Sequence, residues 1–283
     1  MKLLRIGEVG KERPAVMLPD GGVVDVSAHV RDYDGTFFEN GGLDQLRRRV
    51  AKGELPGVPL EGKRIGAPIA RPWKVIGIGL NYADHAKESG NPIPAEPVMF
   101  TKASNAVVGP CDTVLIPRGG AKTDWEVELG VVIGKTARYL PDKESALAHI
   151  AGYCVSNDVS ERSFQLERGG SWDKGKSAET FNPLGPWLVT TDEVKDPQSL
   201  DLWLDVNGER RQTGNTRTMI FDVKHLVWYL SQFLVLEPGD VITTGTPPGV
   251  GLGMKPPVFL KEGDVMELGI QGLGAQRQVC KQA

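Results

Sequence analysis

Lys122–Gly134, KTDWEVELGVVIG, is the stretch on which both the fold and the chemistry turn. Its second half is a run of aliphatic and β-branched residues closed by glycine, which predicts a buried strand. Side chains alternate along a strand, so Glu126 and Glu128 leave one face, roughly 7 Å apart at Cα, while Val127 points the other way into the core. One cation can lie between such a pair. An isolated E-x-E is equally at home on a solvated strand face, but a third acid changes the balance. Asp158 closes the apolar run GYCVSND (Gly152–Asp158), where a lone carboxylate would be poorly placed. At about 6 Å and an effective dielectric near 20, three such carboxylates repel by very roughly 3 kcal/mol per pair. A dication removes that penalty. Three oxygen ligands with no Cys or His among them suit Mg²⁺ or Mn²⁺, with Ca²⁺ as a further candidate, and argue against Zn²⁺. The expectation requires that the three side chains meet with room for an ion.

Outward from this stretch, WKVIGIGL, GYCVSND, GPWLVT, LWLDVNGE, DVITTG and VMELGI are short runs bounded by Gly, Pro, Asn or Asp and read as strands. Asn207-Gly208 favours the positive φ values of a tight hairpin turn. Helical patterns are fewer: GGLDQLRRRVAKG, DKESALAHIAG, and FDVKHLVWYLSQFLVL with its apolar face. With 35 Gly and 20 Pro the chain must turn often, which favours a mixed α+β, β-rich architecture over a doubly wound sheet. At 283 residues, one sizeable core with a smaller appended unit is expected. The Pro-bearing segment LPGVPLEGKRIGAPIARP reads as a linker, dividing a small N-terminal α+β domain and linker, 1–70, from a catalytic domain, 71–283.

Composition excludes several classes. A formal net charge of −3 gives no basis for a nucleic-acid footprint, and no stretch has the unbroken apolar length of a membrane span. The opening MKLLRIGEVGKERP lacks the apolar core and small-residue cleavage site of a secretory signal, so a cytoplasmic protein is expected. Cys111, Cys154 and Cys280 form no C-x-x-C pair and read as buried small hydrophobes in a reducing compartment.

GIGLNYADHAKE (77–88), KTDWEVELGVVIG, AGYCVSNDVSER (151–162) and ITTGTPPGVG (242–251), in this order, resemble the fumarylacetoacetate hydrolase family. The likeness runs from about Trp73 to the C-terminus. It implies the C-terminal-like catalytic β fold of that family, a homodimer, and Mg²⁺ or Mn²⁺ held by Glu126, Glu128 and Asp158. It also implies a small 2-oxo or 2,4-dioxo acid that chelates the metal. Within the family the chain looks most like the acylpyruvate hydrolase branch. Its N-terminal unit and the NYADHAKE and KPP segments are similar to 2,4-didehydro-3-deoxy-L-rhamnonate or L-fuconate hydrolases of sugar-acid catabolism.

His85 and Glu88 are three apart, so on a helix they share a face. Without the resemblance they read as a surface pair. The resemblance makes them the group that activates water at the metal site. It likewise implies that Lys176, in WDKGKSAETF, stabilises the substrate's enolate, and that Arg162, Gln165 and Thr246 hold substrate oxygens; otherwise these are ordinary loop residues. Neighbouring Lys174 reads as exposed. Decarboxylation of oxaloacetate or a similar 2-oxo acid, and hydration or isomerisation of a 2-oxo-enoate, would use the same carboxylates. The His85 and Glu88 pair favours hydrolysis, because attack on a carbonyl needs an activated water. A non-enzymatic, metal-stabilised binding module is the reading from another class. Gly170–Ser177, GSWDKGKS, satisfies the phosphate-loop pattern, but no buried strand precedes it and Pro183 and Pro186 follow it. His149 and His225 fall in apolar helical stretches and read as structural, while His29 carries no signal.

Overall fold

A computed structural model describes residues 1–88 and 92–283, with the side chains of 85–87 excepted. Its centre is the strand Val127–Ile133, buried along its whole length. Such burial needs cover on both faces, and the alternation of the strand shows what supplies it. Val127, Leu129 and Val131 face a core shared with Leu202, Leu204, Met266 and Leu268, whereas Val132 faces Leu3, Tyr33, Phe38 and Leu46.

The strand lies near the middle of an 11-stranded mixed sheet. Ile150–Asn157, Asn182–Thr190, Lys2–Ile6, Arg13–Met17 and Val23–Asp25 follow in turn on one side; Val241–Thr243, Val75–Gly79 and Val98–Lys102 follow on the other. Two short strands, Ile65–Gly66 and Val107–Val108, pair off this path. A five-stranded sheet, Glu209–Asn215, Asp201–Val206, Val265–Ile270, Gly274–Gln282 and Val114–Ile116, packs against the odd-numbered face. The Asn207-Gly208 hairpin forms as expected, with φ of 54° and 77°. The fold is therefore mixed and sheet-rich, with few helices.

The first 70 residues share this sheet. Lys2–Ile6 pairs with Asn182–Thr190, and Arg64 hydrogen-bonds both Glu12 and Asp112.

Three expectations are corrected. FDVKHLVWYLSQFLVL is helical only over Val223–Leu230, because Leu236 exchanges backbone hydrogen bonds with Ala137 and the chain must leave the helix to reach it. DKESALAHIAG forms a 3₁₀ segment, Glu144–His149, because Ile150 enters the next strand without a loop. Cys154 and Cys280 are buried, but Cys111 is exposed, since it follows Pro110 at a surface turn rather than a strand interior. No helix among the described residues is long and apolar enough to cross a membrane.

Candidate active site and metal centre

One antiparallel register builds the site. Val127 pairs with Asn157 and Glu128 with Ser156; one step further, the Asp158 amide donates to the Glu126 carbonyl at 2.9 Å. Ser160 and Asp124 continue the same ladder. Residues opposite each other in such a ladder share a face, so Asp124, Glu126, Glu128 and Asp158 all emerge on one side. Ligand oxygens of Glu126, Glu128 and Asp158 lie within 4.8 Å of one another, and all three residues are buried. The spacing suits a hard cation, since ligands at 2.0–2.6 Å from a common centre stand at most roughly 4–5 Å apart.

Positive charge reaches the cluster from three directions. Lys176, at the end of the short helix Trp172–Lys176, donates to Glu126 Oε2 and Asp158 Oδ2, each at 2.7 Å. Arg162 donates through Nη2 to Glu126 Oε1 at 2.6 Å, through Nε to Asp124 Oδ2 at 2.9 Å, and through Nη1 to Gln165 Oε1 at 3.1 Å. Lys102, fully buried, pairs with Asp158 Oδ1 and donates to the Val159 carbonyl. Four carboxylates thus face three cations. Of these four carboxylates, Glu128 is the one with no cation in contact among the described residues. Its Oε2 accepts instead from the Thr243 hydroxyl at 2.6 Å and the Gly245 amide at 2.7 Å.

The charge states follow from these contacts. Burial opposes ionisation of Glu126, but Lys176 and Arg162 overcome it and hold its carboxyl well below the usual range. Burial, with Asp158 and Glu126 nearby, pushes Glu128 well above that range. Burial works against the Lys176 ammonium, yet Asp158 and Glu126 keep its pKa raised. Burial lowers Lys102 despite its contact with Asp158. The donor set is all oxygen, is buried and has its ligand atoms within 4.8 Å of one another, and Glu128 has no cation of its own, so the residues present fit a hard divalent cation.

Glu126 and Glu128 form the floor of a cleft of about 600 Å³, with Asp158 held against Glu126 through Lys176. Arg162, Gln165, Lys176 and Thr246 line it as the resemblance implies, and all four already have protein partners. The Arg162 guanidinium is taken up by Asp124, Glu126 and Gln165, and the Thr246 hydroxyl donates to the Val127 carbonyl at 2.9 Å. Both therefore act as supports of the floor in this structure, rather than as free donors to a substrate. Gly245 adopts a φ of 98°, and a Cβ there would fall 2.7 Å from Asn81 Cβ; glycine alone lets its amide reach Glu128.

Glu88 ends the Ala83–Glu88 helix, lines the cleft and accepts from the Gly249 amide at 3.1 Å. The His85 side chain lies outside the described residues. Lys174 is exposed, as expected. His225 packs among Phe221, Trp228 and Tyr229, which agrees with a structural role.

Two members of the site were not singled out in the sequence. Asp124 stands two residues before Glu126, and the same alternation that joined the two glutamates would have included it. It also accepts from the Gly251 and Leu252 amides, tying the glycine-rich loop to the floor. Lys102 left no comparable signal, since FTK is an ordinary strand ending and only the sheet order carries it to Asp158.

Comparison with known proteins identifies the family. The model of the fumarylacetoacetate (FAA) hydrolase C-terminal family matches residues 74–280. A relative in Burkholderia multivorans, which carries a provisional hydrolase name, is 58% identical over 284 residues, with 100% of both chains covered. The fumarylacetoacetate hydrolase of Exiguobacterium antarcticum superposes with a TM-score of 0.86 at 38% identity, covering 100% of both chains. The 2-hydroxyhepta-2,4-diene-1,7-dioate isomerase of Mycobacterium marinum gives 0.77 at 31%, covering 100% of this chain and 98% of that one. Maleylpyruvate hydrolase from Sphingobium sp. SYK-6, solved with manganese(II) and pyruvate, gives 0.81 at 29%, with 100% of both chains covered. The chain belongs to the fumarylacetoacetate hydrolase family, whose members here include hydrolases and isomerases.

Proposed function

We propose that the chain is a divalent-metal-dependent hydrolase that breaks the C3–C4 bond of a 2,4-dioxo acid, either an acylpyruvate or a 2,4-dioxo-3-deoxy sugar acid, to release pyruvate and a carboxylic acid. The observation that carries it is the convergence of Glu126, Glu128 and Asp158 within 4.8 Å, with Glu126, Glu128 and Lys176 lining the same cleft. The manganese and pyruvate bound to the Sphingobium maleylpyruvate hydrolase support the same assignment.

When bound, Mg²⁺ or Mn²⁺ would supply Lewis-acid polarisation of the substrate's carboxylate and 2-oxo oxygens. The chain's own residues do the rest. Lys176, fixed on two carboxylates and seated 5.0 Å over the Phe100 ring, presents positive charge where the enolate develops. His85, on the same helix as Glu88, takes the proton of the attacking water. Water oxygen bonds to C4, the C3–C4 pair passes into the C2–C3 enolate, and a proton returned to C3 completes pyruvate.

Calorimetric titration of Mg²⁺, together with pyruvate release from an acylpyruvate and a 2,4-dioxo-3-deoxy sugar acid, tests the proposal. His85→Ala should lower kcat by roughly 10²–10⁴-fold while metal affinity is retained. The isomerase among the structural neighbours favours one second reading: isomerisation of a 2-oxo-enoate on the same carboxylates. Spectral change without pyruvate would decide for it. Decarboxylation would show as CO₂ from oxaloacetate, insensitive to His85→Ala.

A further inference from the structure

We infer that the group beyond the attacked carbonyl is uncharged and ends in hydrocarbon, not in a second carboxylate, and that the wall formed by Leu166, Trp172, Leu252 and Met254 reads it. The inference rests on the hydrolase function proposed above.

The cleft is split by polarity. Its floor is made of Glu126, Glu128, Arg162, Gln165 and Lys176, all almost completely buried. The wall that rises from the floor is apolar: Leu166 and Leu252 are 48% and 39% exposed, and Trp172 and Met254 are half-buried beside the same space. Large apolar side chains held open to water around a concave site mark a surface that hydrocarbon is meant to cover. The position of the wall in the substrate's path follows from the floor. With the carboxylate and 2-oxo end held at the carboxylate cluster beside Lys176, the distal group extends outward into the space that these side chains line.

A second carboxylate would find poor recognition there. Among the described residues, the cations lining the cleft are Arg162, Lys176 and Lys255. The first two are engaged by Asp124, Glu126 and Asp158. Lys255 is exposed on the rim, where an ion pair with a mobile anion would gain at most about fivefold in affinity. Glu88 places a carboxylate on the same lining. Each methylene covered by the wall, in contrast, should gain about fourfold.

The test uses the Mg²⁺-loaded full chain and three probes read by pyruvate release: acetylpyruvate, an alkyl acylpyruvate two methylenes longer, and an acylpyruvate of that length ending in carboxylate. The longer alkyl probe should exceed the carboxylate-ended one by at least about tenfold in kcat/KM, a gap of about 1.4 kcal/mol. Leu252→Lys, a change at an exposed position, should narrow or reverse that gap, mainly through KM. A wild-type preference for the carboxylate-ended probe overturns the inference while leaving the hydrolase function standing, and its loss in Lys255→Gln would move the reader to that lysine. Absence of pyruvate from all three probes, with Mg²⁺ binding seen by calorimetry, would sink the parent function and this specificity with it.

Discussion

At the scale of single residues, the site is a balance of buried charges, and each member has a predictable cost of removal. Lys102 pairs with Asp158 in the interior, beside the face where Lys176 holds the other oxygen of the same carboxylate. Removing Lys102 leaves Asp158 with Lys176 as its remaining cation and one oxygen unpaired, so Lys102→Met should lower the unfolding free energy by about 1–3 kcal/mol in the presence of chelator. Added Mg²⁺ supplies positive charge to the same cluster. The melting temperature of the variant should therefore rise more with Mg²⁺ than that of the wild type. An equal response in the two proteins would show that Lys102 is not part of the charge balance. Glu128→Gln should leave the fold intact, because the amide can still accept from Thr243 and Gly245. Changes to the outer partners of metal ligands already cost about 10–100-fold in affinity, so a ligand change should cost at least that. Titration calorimetry on the folded variant is the check.

The elements that hold these residues are shaped by close approaches that only glycine permits. On Val75–Gly79, a Cβ at Gly77 would fall 2.1 Å from the Phe100 ring, and one at Gly79 would fall 2.4 Å from the Trp172 ring. The two rings lie 5.6 Å apart at a tilt of 55°, one beneath Lys176 and the other on the cleft wall. The strand's G-I-G thus makes room for the aromatic support of the site. Gly77→Ala and Gly79→Ala should each destabilise by about 1–3 kcal/mol through forced displacement of a ring. Gly79→Ala should also raise KM, since Trp172 faces the cleft. Wild-type melting and kinetics in that variant would show that the indole has room to move.

Across the whole molecule, the N-terminal segment is a structural part of the sheet. Lys2–Ile6 lies between Arg13–Met17 and Asn182–Thr190, and Leu3, Tyr33, Phe38 and Leu46 cluster with Val132 at the far end of the central strand from Glu128. A fragment of residues 71–283 would expose the rest of that apolar cluster and the unpaired edge of Asn182–Thr190. It should aggregate or fail to give a cooperative melt; a soluble, cooperatively folding fragment would contradict this packing. The joint is also ionic: Arg64, braced by Glu12, pairs with Asp112 across it at 2.6 Å. Burial opposes the Glu12 carboxylate, but Arg64 and Arg5 overcome it and hold the carboxyl below its ordinary range. A group lowered on folding contributes stability above its unfolded pKa and loses it as pH falls through the folded value. Glu12→Gln should therefore flatten the acid limb of a stability–pH curve and leave the limb above neutrality unchanged.

Much of this was legible in the residues themselves. Period-two alternation in DWEVELGVVIG assigns the strand and puts Glu126 and Glu128 on one face, because side-chain direction in a strand depends only on the parity of position. Asn207-Gly208 declares its turn for an equally local reason, and the spacing of four motifs marks the family. The meeting of Asp158 with the glutamates depended on which strands pair and in what register, and Lys102 reaches Asp158 only because its edge strand lies on the same sheet. The engagement of Arg162 and Thr246 by protein partners was likewise decided in three dimensions. Local sequence specifies a side chain's direction, but which charges end up in contact is set by pairings between segments tens to more than a hundred residues apart.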